Sequence, residues 1–260
     1  MKKFKSINEF CTFNPIITYF LNLLRTVFSQ ETEPTRQSLM MILISFLYLN
    51  GCESIRFMYE HFLGKYFHGE MRSYYYTLEE SKLYVDDWPL KLLDLIISAG
   101  IIAVGIPIFL IIDDTLVKKM GDHFEFKTHL YNHAAKDGNC YLDGHCFVSL
   151  VILLPIIWNG SVKYIRIPLC HRMWIKEDEV TKLQMAAEMI SMINSKLEPL
   201  GQRCTLCDSW YAKGEMMDLN TEKGIPFVTA CASNTALYDL PPDPEPGKRG
   251  RKRIRGAARP

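Results

Sequence analysis

Apolar residues recur at helical spacing through the first hundred positions. Amphipathic or mostly apolar stretches cover Ile16–Phe28, Thr35–Leu49 and Leu90–Ser98, and Glu53–Leu63 alternates charged with aromatic residues. Glycines and prolines lie between these stretches, where they end one helix before the next begins. The pattern predicts an all-helical region over residues 1–100.

The pattern changes to strands from residue 101. Short apolar runs occupy Ile106–Ile112 and Phe147–Ile157, and Val162–Leu169 alternates apolar with polar residues. Between the last two runs, Asn159-Gly160 is a strong signal for a two-residue hairpin turn. Pro168 has no N–H to donate to a neighbouring strand, so the second strand of this hairpin is expected at an edge of the sheet.

One helix and two short strands are predicted after the hairpin. The acidic segment Glu177-Asp178-Glu179 precedes residues 180–197, whose apolar side chains fall on one helical stripe. Cys204–Cys207 and Ile225–Cys231 have the character of strands. The resulting order of strand, hairpin of two strands, helix, strand and strand predicts an α/β domain with a mixed sheet over residues 101–240.

The composition is that of a globular protein and excludes a mainly disordered chain, since 48% of the residues are hydrophobic and 23% are charged. The net charge of +1 conceals an asymmetry. Residues 248–260 contain seven Lys and Arg and no acidic residue, which leaves 23 basic and 29 acidic residues elsewhere. Residues 241–247 are rich in proline and predict a stiff linker, and residues 248–260 predict a basic tail that contacts phosphate. Linker and tail together cover residues 241–260.

The cysteine content and the apolar runs bear on location. Eight cysteines are too few for a disulfide scaffold of this size, and reduced thiols in a cytoplasmic protein are expected.

Leu95–Ile112 has no charged residue and approaches the length of a membrane span. Because it contains two glycines and Pro107, a helix end, a turn and a buried strand are the preferred interpretation, with no membrane contact. A small membrane protein is the alternative.

Two aspartates follow predicted strands. Asp114 ends the first strand of the sheet, and Asp208 ends the strand after the helix. Functional sites of α/β sheets are built at the carboxyl ends of strands, and carboxylates are the ligands that Mg²⁺ prefers. Two such ions can promote phosphodiester cleavage. Aspartate is also common in turns, so the pair is by itself a weak signal.

The segments around these aspartates resemble DDE transposases of the bacterial cut-and-paste insertion-sequence type. The resemblance covers roughly residues 90–255 and agrees with the predicted strand order. The motifs are Ile112-Asp113-Asp114-Thr115, Asn132-His133, Tyr141-Leu142-Asp143-Gly144-His145, Leu206-Cys207-Asp208-Ser209-Trp210-Tyr211-Ala212-Lys213, Pro226-Phe227-Val228 with Asn234, and Gly247-Lys248-Arg249-Gly250-Arg251-Lys252.

The resemblance implies a fold and a catalytic site. The fold is an RNase H-like mixed sheet with flanking helices, preceded by a helical region that binds DNA ends. In the complete enzyme, Asp114 and Asp208 would lie on neighbouring strands and hold two Mg²⁺ or Mn²⁺ ions for hydrolysis and strand transfer. Asp114 is preferred because it directly precedes Thr115, as in the family pattern. Since side chains alternate along a strand, Asp113 is the alternative to Asp114.

The resemblance also implies partners. The expected partner is double-stranded DNA, at the element ends and at the target. The expected location is the bacterial cytoplasm, at the nucleoid. A monomer and a homo-oligomer both stay open as alternatives. Binding through phosphate contacts would be sensitive to salt. The residues expected to contact DNA are Lys118, Lys119, His145, Lys213, Lys248, Arg249, Arg251, Lys252, Arg253 and Arg255.

One part of the family pattern is missing. The family uses a third carboxylate, a Glu that often stands in a Tyr-x2-Arg-x3-Glu context. The glutamates after Asp208 are Glu215, Glu222 and Glu245, and none has this context. We therefore expect a truncated transposase in which metal binding is weakened and full activity is lost. The alternative is a non-catalytic DNA-binding remnant that competes with the full-length enzyme.

Overall fold

The structure is a computed structural model that describes residues 3–7, 9, 15–51, 54–132, 140–230, 238–239, 241–242 and 256–257. Its described residues between 15 and 98 form five helical segments. The segments confirm the predicted helical character of this region. They are α1 (Pro15–Val27), α2 (Glu33–Tyr48), α3 (Ile55–Met58, continued by a π-helical turn at Tyr59–Leu63 and by Gly64–Tyr66), α4 (Met71–Glu79) and α5 (Trp88–Ser98).

These helices share an apolar core to which a buried glutamate is anchored. Leu21 of α1, Ile44 of α2 and Leu63 of α3 are almost completely buried in this core. Glu31, between α1 and α2, is 3% exposed. Its Oε1 accepts hydrogen bonds from the backbone N–H of Tyr84 at 2.9 Å and from an indole N–H at 3.0 Å. The indole is that of Trp88, the first residue of α5, so the glutamate ties the start of α5 to the α1–α2 connection.

Replacing Glu31 with Ala is expected to destabilise the helical region. The substitution leaves the backbone N–H of Tyr84 and the indole N–H of Trp88 without their acceptor. Each unpaired donor is expected to lower the free energy of unfolding by about 1–3 kcal/mol. Urea denaturation followed by tryptophan fluorescence would measure the loss. Glu31→Gln retains the accepting Oε1 and should lose less. Glu33→Ala is the matched control, because Glu33 is exposed and its pair with Arg36 at 3.4 Å contributes about 0.5 kcal/mol or less. Equal losses in the Ala variants of Glu31 and Glu33 would contradict the assigned role.

A six-stranded mixed sheet follows the helices. Its strand order is β2-β3-β1-β5-β6, and β4 pairs with β3. β2 and β3 are antiparallel, whereas β5 and β6 are parallel. The strands are β1 (Ile108–Lys118), β2 (Thr128–Tyr131), β3 (Tyr141–Trp158), β4 (Ser161–Trp174), β5 (Arg203–Cys207) and β6 (Phe227–Thr229), with the helices α6 (Lys182–Leu197) and α7 (Gly214–Glu222) after β4 and β5. This architecture confirms the predicted α/β, RNase H-like fold class.

The hairpin of β3 and β4 forms at the predicted turn. Asn159 has φ +48° and Gly160 has φ +72°, and a turn with two left-handed residues matches the twist of the strands it joins. Both strands are longer than predicted. β4, which contains Pro168, pairs with β3 and with no other strand of the described residues, as expected for an edge strand.

Two elements of the sheet region were not predicted. β2 is four residues long and is formed by pairing with the start of β3, where Thr128 lies opposite Gly144 and Tyr131 lies opposite Tyr141. α7 has no clear apolar stripe, although Met216 is buried. In both cases the element depends on a partner that is distant in sequence, and local periodicity does not reveal it.

The uncharged run Leu95–Ile112 divides as the preferred interpretation expected. It contains the end of α5, a connection with Gly100 at φ +66° and Gly105 at φ +84°, and the first half of β1. Over the part of the chain that the structure describes, no helix is long and apolar enough to cross a membrane.

The chain forms two compact units. The first comprises Met1–Ile108, Val151–His171 and Met189–Gln202, and the second comprises Phe109–Leu150, Arg172–Glu188 and Arg203–Pro260. The second unit contains Asp114 and Asp208. Asp208 directly follows β5 as predicted, whereas the prediction that Asp114 ends its strand is wrong, because β1 continues to Lys118. The boundaries at residues 100 and 240 that the sequence suggests remain predictions.

Candidate active site

The neighbouring aspartates of β1 lie on opposite faces of the strand. Ile108, Leu110 and Ile112 are buried, and Asp114 continues this face at the point where it becomes half-buried. Asp113 belongs to the other, more exposed face. Its Oδ1 accepts a hydrogen bond from the backbone N–H of Asp114 at 2.9 Å. The two carboxylates therefore present their charges to different surroundings.

Asp208 is held in place by the turn that follows β5. Its Oδ1 accepts hydrogen bonds from the backbone N–H of Trp210 at 3.0 Å and from that of Tyr211 at 3.4 Å, and so caps the short 3₁₀ turn Ser209–Tyr211. Its backbone carbonyl accepts a bond from Thr229 Oγ1 of β6 at 2.9 Å. Asp208 thus has a structural role as a cap, and it remains exposed at the end of the strand next to β1.

The structure brings the three aspartates into electrostatic reach of one another. Partial burial raises the pKa of Asp113, and the negative charges of Asp114 and Asp208 raise it further, against a backbone hydrogen bond that lowers it. A group of carboxylates that repel one another is stabilised by a cation. The preference for Asp114 over Asp113 stays a prediction, and the interaction with Asp208 that the structure records is that of Asp113.

Tyr211 lies among these acidic groups, and the sequence analysis did not single it out. Its side chain is completely buried, and its hydroxyl has no hydrogen-bond partner among the described residues. Burial raises the pKa of Tyr211, and the charges of Asp114, Cys146, Asp113 and Asp208 add to the effect. The phenol therefore remains protonated, and its O–H is a buried donor near these acidic groups.

A second residue that the sequence analysis missed is Lys182. Its Nζ donates a hydrogen bond to Asp114 Oδ2, which also accepts one from Cys146 Sγ at 3.4 Å. The side chains of Lys182 and Asp114 are only 18% and 24% exposed. Burial opposes the charge of Lys182, but hydrogen bonds and charges at Asp114 and Cys146 outweigh it and raise the pKa of Lys182. The ammonium is thus the cation that neutralises Asp114.

The start of α6 fixes the position of this lysine. Thr181 Oγ1 accepts from the N–H of Gln184 at 3.1 Å, while the N–H of Thr181 donates to Gln184 Oε1 at 2.8 Å. This reciprocal pair is a capping box, and it begins the helix at Lys182. Thr-x-x-Gln is visible in the sequence, whereas the partner of the lysine is 68 positions away.

The chemistry of the aspartates fits a divalent metal, but their number falls short of a complete site. Carboxylate oxygens are suitable ligands for Mg²⁺ or Mn²⁺, and Asp113, Asp114 and Asp208 supply them. Within the described ranges, no group of three or more His, Cys, Asp and Glu side chains converges closely enough to hold a metal ion. At Asp114, the position of a cation is taken by Lys182.

Four of the predicted DNA-contacting residues lie in the described part of the second unit. Lys118 is exposed at the end of β1, and Lys119 Nζ lies 5.2 Å from the centre of the Phe124 ring. His145 Nε2 is 2.8 Å from the backbone oxygen of Glu125. Lys213 Nζ lies 4.0 Å over the ring of Trp210, beside Asp208. The other six, Lys248, Arg249, Arg251, Lys252, Arg253 and Arg255, lie outside the described residues.

The Tyr141–His145 motif is explained by pairing with β2. Asp143 accepts from His129 Nδ1 at 2.8 Å, which lowers the pKa of Asp143, and Tyr141 stacks on His129 with ring centres 4.9 Å apart. Gly144 lies against β1, where the backbone oxygen of Val117 leaves no room for a β-carbon. The motif thus holds β3 against both neighbouring strands, next to the aspartates.

Comparison with protein families decides the membership of the chain. Residues 27–260 match the family model described as DDE superfamily endonuclease. The chain belongs to the DDE superfamily of endonucleases. No curated protein matches it. Among solved structures, it is similar to the piggyBac transposase in a synaptic complex with hairpin DNA, with 13% identity and a TM-score of 0.36.

The similarity to that transposase is distant. The match covers 78% of this chain and 43% of the transposase chain, so the chain spans less than half of its length. It carries no argument about activity. The bacterial insertion-sequence type and the truncation, both inferred from sequence motifs, remain predictions for this member of the DDE superfamily.

Replacing Gly144 with Ala tests the contact between β3 and β1. We expect the second unit to lose about 1–3 kcal/mol of stability, because the added methyl group overlaps backbone and not a flexible side chain. Gly214→Ala is the control, since the nearest atom to a β-carbon there is 3.9 Å away, at the start of α7. Its urea midpoint should stay constant or rise slightly. A Gly144→Ala protein with an unchanged midpoint would show that the close approach is not required.

Proposed function

We propose that the chain acts as a DNA transposase or as the corresponding part of one. The observation that carries the proposal is the placement of Asp113 and Asp114 on β1 and of Asp208 directly after the neighbouring β5, with Asp113 in electrostatic reach of the other two carboxylates, in a member of the DDE superfamily. Acidic residues in this arrangement are suited to phosphodiester chemistry. The transposase type follows the motif resemblance, which assigns the reaction to hydrolysis and strand transfer at the ends of an insertion sequence.

In this proposal, Asp114 and Asp208 hold Mg²⁺ or Mn²⁺, two ions in the complete enzyme, with Asp113 as the alternative to Asp114. When bound, such ions supply the positive charge that favours the attacking and leaving oxygens. Tyr211 contributes a buried hydroxyl donor to the same cluster, and the turn after β5 orients Asp208.

Double-stranded DNA is the proposed partner, bound through its phosphates. Lys118, Lys119 and Lys213 belong to the unit that carries the aspartates, and His145 lies against Phe124 near Lys119. The basic tail would add phosphate contacts, and the helical region would hold the element ends. Such binding weakens steeply with salt. A location at the bacterial nucleoid and self-association on DNA are part of the same proposal.

A second candidate is a DNA-binding protein without nuclease activity that competes with a full-length transposase. It is favoured by the finding that, among the described residues, no group of three or more His, Cys, Asp and Glu side chains converges closely enough to hold a metal ion. On this alternative, the chain has the fold and binds DNA but does not cleave it. The two candidates differ in metal-dependent nicking.

Nicking of supercoiled DNA that carries the element ends, in Mg²⁺ or Mn²⁺, tests the proposal. We expect slow nicking that falls by about 100-fold or more in Asp114→Asn and in Asp208→Asn, since even outer partners of a metal ligand are worth ~10–100-fold. Asp113→Asn should be less affected if Asp114 is the ligand. Asp218→Asn is the control, because Asp218 is an exposed carboxylate of α7 in the same unit.

The other outcomes are equally informative. Salt-sensitive DNA binding without nicking by any protein would favour the non-catalytic candidate. Nicking that survives both Asp114→Asn and Asp208→Asn would remove these residues from the site. Absence of DNA binding at low salt would contradict both candidates.

A further inference from the structure

The ammonium of Lys182 occupies a cation site that is built from separate parts of the chain. Its Nζ donates to Asp114 Oδ2 on β1. The ring of Trp174, at the end of β4, lies 5.5 Å from Nζ, and the ring of Trp210, in the turn after β5, lies 5.0 Å away. A carboxylate and two aromatic rings are the partners that stabilise a partly buried ammonium.

The position of Lys182 in its helix is unfavourable without this partner. Lys182 is the first residue of α6, where the backbone N–H groups carry partial positive charge and favour acidic side chains. The lysine is mostly buried as well, which costs solvation of its charge. The pair with Asp114 offsets both costs. The carboxylate oxygen is therefore already committed to a cation that belongs to the chain.

We infer that Lys182 is the resident cation of Asp114, held by Trp174 and Trp210, and that it competes with a divalent metal ion for this carboxylate. The inference rests on the proposed function in one respect, namely that Asp114 is a metal ligand. A divalent ion at Asp114 is repelled by the ammonium, so it binds only when Lys182 leaves Oδ2. Lys182 is thus a positioning residue that sets the metal affinity of the site.

Metal binding by the intact chain, without DNA, tests this inference. Free Mn²⁺ would be measured by electron paramagnetic resonance during titration of each protein. We expect Lys182→Gln to bind Mn²⁺ about 10–100-fold more tightly than the unchanged protein, the usual range for a partner of a metal ligand. Lys182→Arg retains the positive charge and should keep the weak affinity. Combining Lys182→Gln with Asp114→Asn should abolish the gain.

Lys196→Gln is the matched control. Lys196 is in the last turn of the same helix, 14 residues after Lys182, and pairs with Asp94, and its side chain is 31% exposed. Its loss removes one positive charge of equal size and should leave Mn²⁺ affinity unchanged. If Lys196→Gln increased Mn²⁺ affinity as much as Lys182→Gln does, the increase would be due to net charge alone, and the inference would be overturned.

Trp210→Leu guards against a folding defect in Lys182→Gln. Trp210 is 37% exposed, and its replacement weakens the hold on the ammonium while leaving the pair with Asp114 in place. We expect a smaller gain in affinity, in the same direction. Unchanged or weaker Mn²⁺ binding by folded Lys182→Gln, or by Trp210→Leu where the first variant does not fold, would overturn the inference.

The metal role of the aspartates is tested separately in the same titrations. If Asp208→Asn weakens Mn²⁺ binding and Lys182→Gln leaves it unchanged, the inference about Lys182 fails and the proposed metal site stands. If no protein of the series binds Mn²⁺, both the inference and the metal site of the proposed function fail.

Discussion

Alternation of side chains along β1 is the constraint on which the candidate site depends. The face of Ile108, Leu110 and Ile112 is buried, and the same face carries Asp114 where the strand leaves the core. A carboxylate at this point is partly desolvated, and it must find a counter-charge or hydrogen-bond donors. Asp113, one residue earlier, faces the other side and meets Asp208 through its charge. Two adjacent residues of one type thus acquire different chemistry.

Glu31 and Asp114 are stabilised in different ways. Oε1 of Glu31 accepts from N–H groups of the polypeptide and of an indole, which fixes the helices around it, while Oε2 is buried without a partner among the described residues. Asp114 accepts from an ammonium and a thiol, and the ammonium itself lies over two tryptophan rings. N–H donors of a rigid core cannot move away, whereas a lysine side chain can change rotamer without disturbing its helix. A static partner suits a structural site, and a movable one suits a site that exchanges cations.

Several features of the fold were predictable because their causes are local. The hairpin turn depends on two residues that tolerate positive φ, and Asn159-Gly160 is recognisable for that reason. Pro168 limits β4 to an edge, and apolar periodicity located α6 within two residues of the predicted stripe. Asp114 and Asp208 were singled out because each directly follows an apolar run with the character of a strand, although β1 continues past Asp114 to Lys118. β2, by contrast, is too short to have a pattern of its own, and its residues pair with a strand that begins ten positions later.

The sequence by itself determined the fold class and the family resemblance, and it singled out Asp114 and Asp208, since these depend on short motifs and on periodicity along the chain. Only the tertiary structure decided which groups surround those aspartates. Lys182 is 68 residues from Asp114, and Tyr211 and Cys146 are buried beside the same charges from other segments. No local sequence pattern predicts these neighbours. Each of them lies near the aspartates only because strands and a helix from distant parts of the chain pack together, and this packing exists only after the chain has folded.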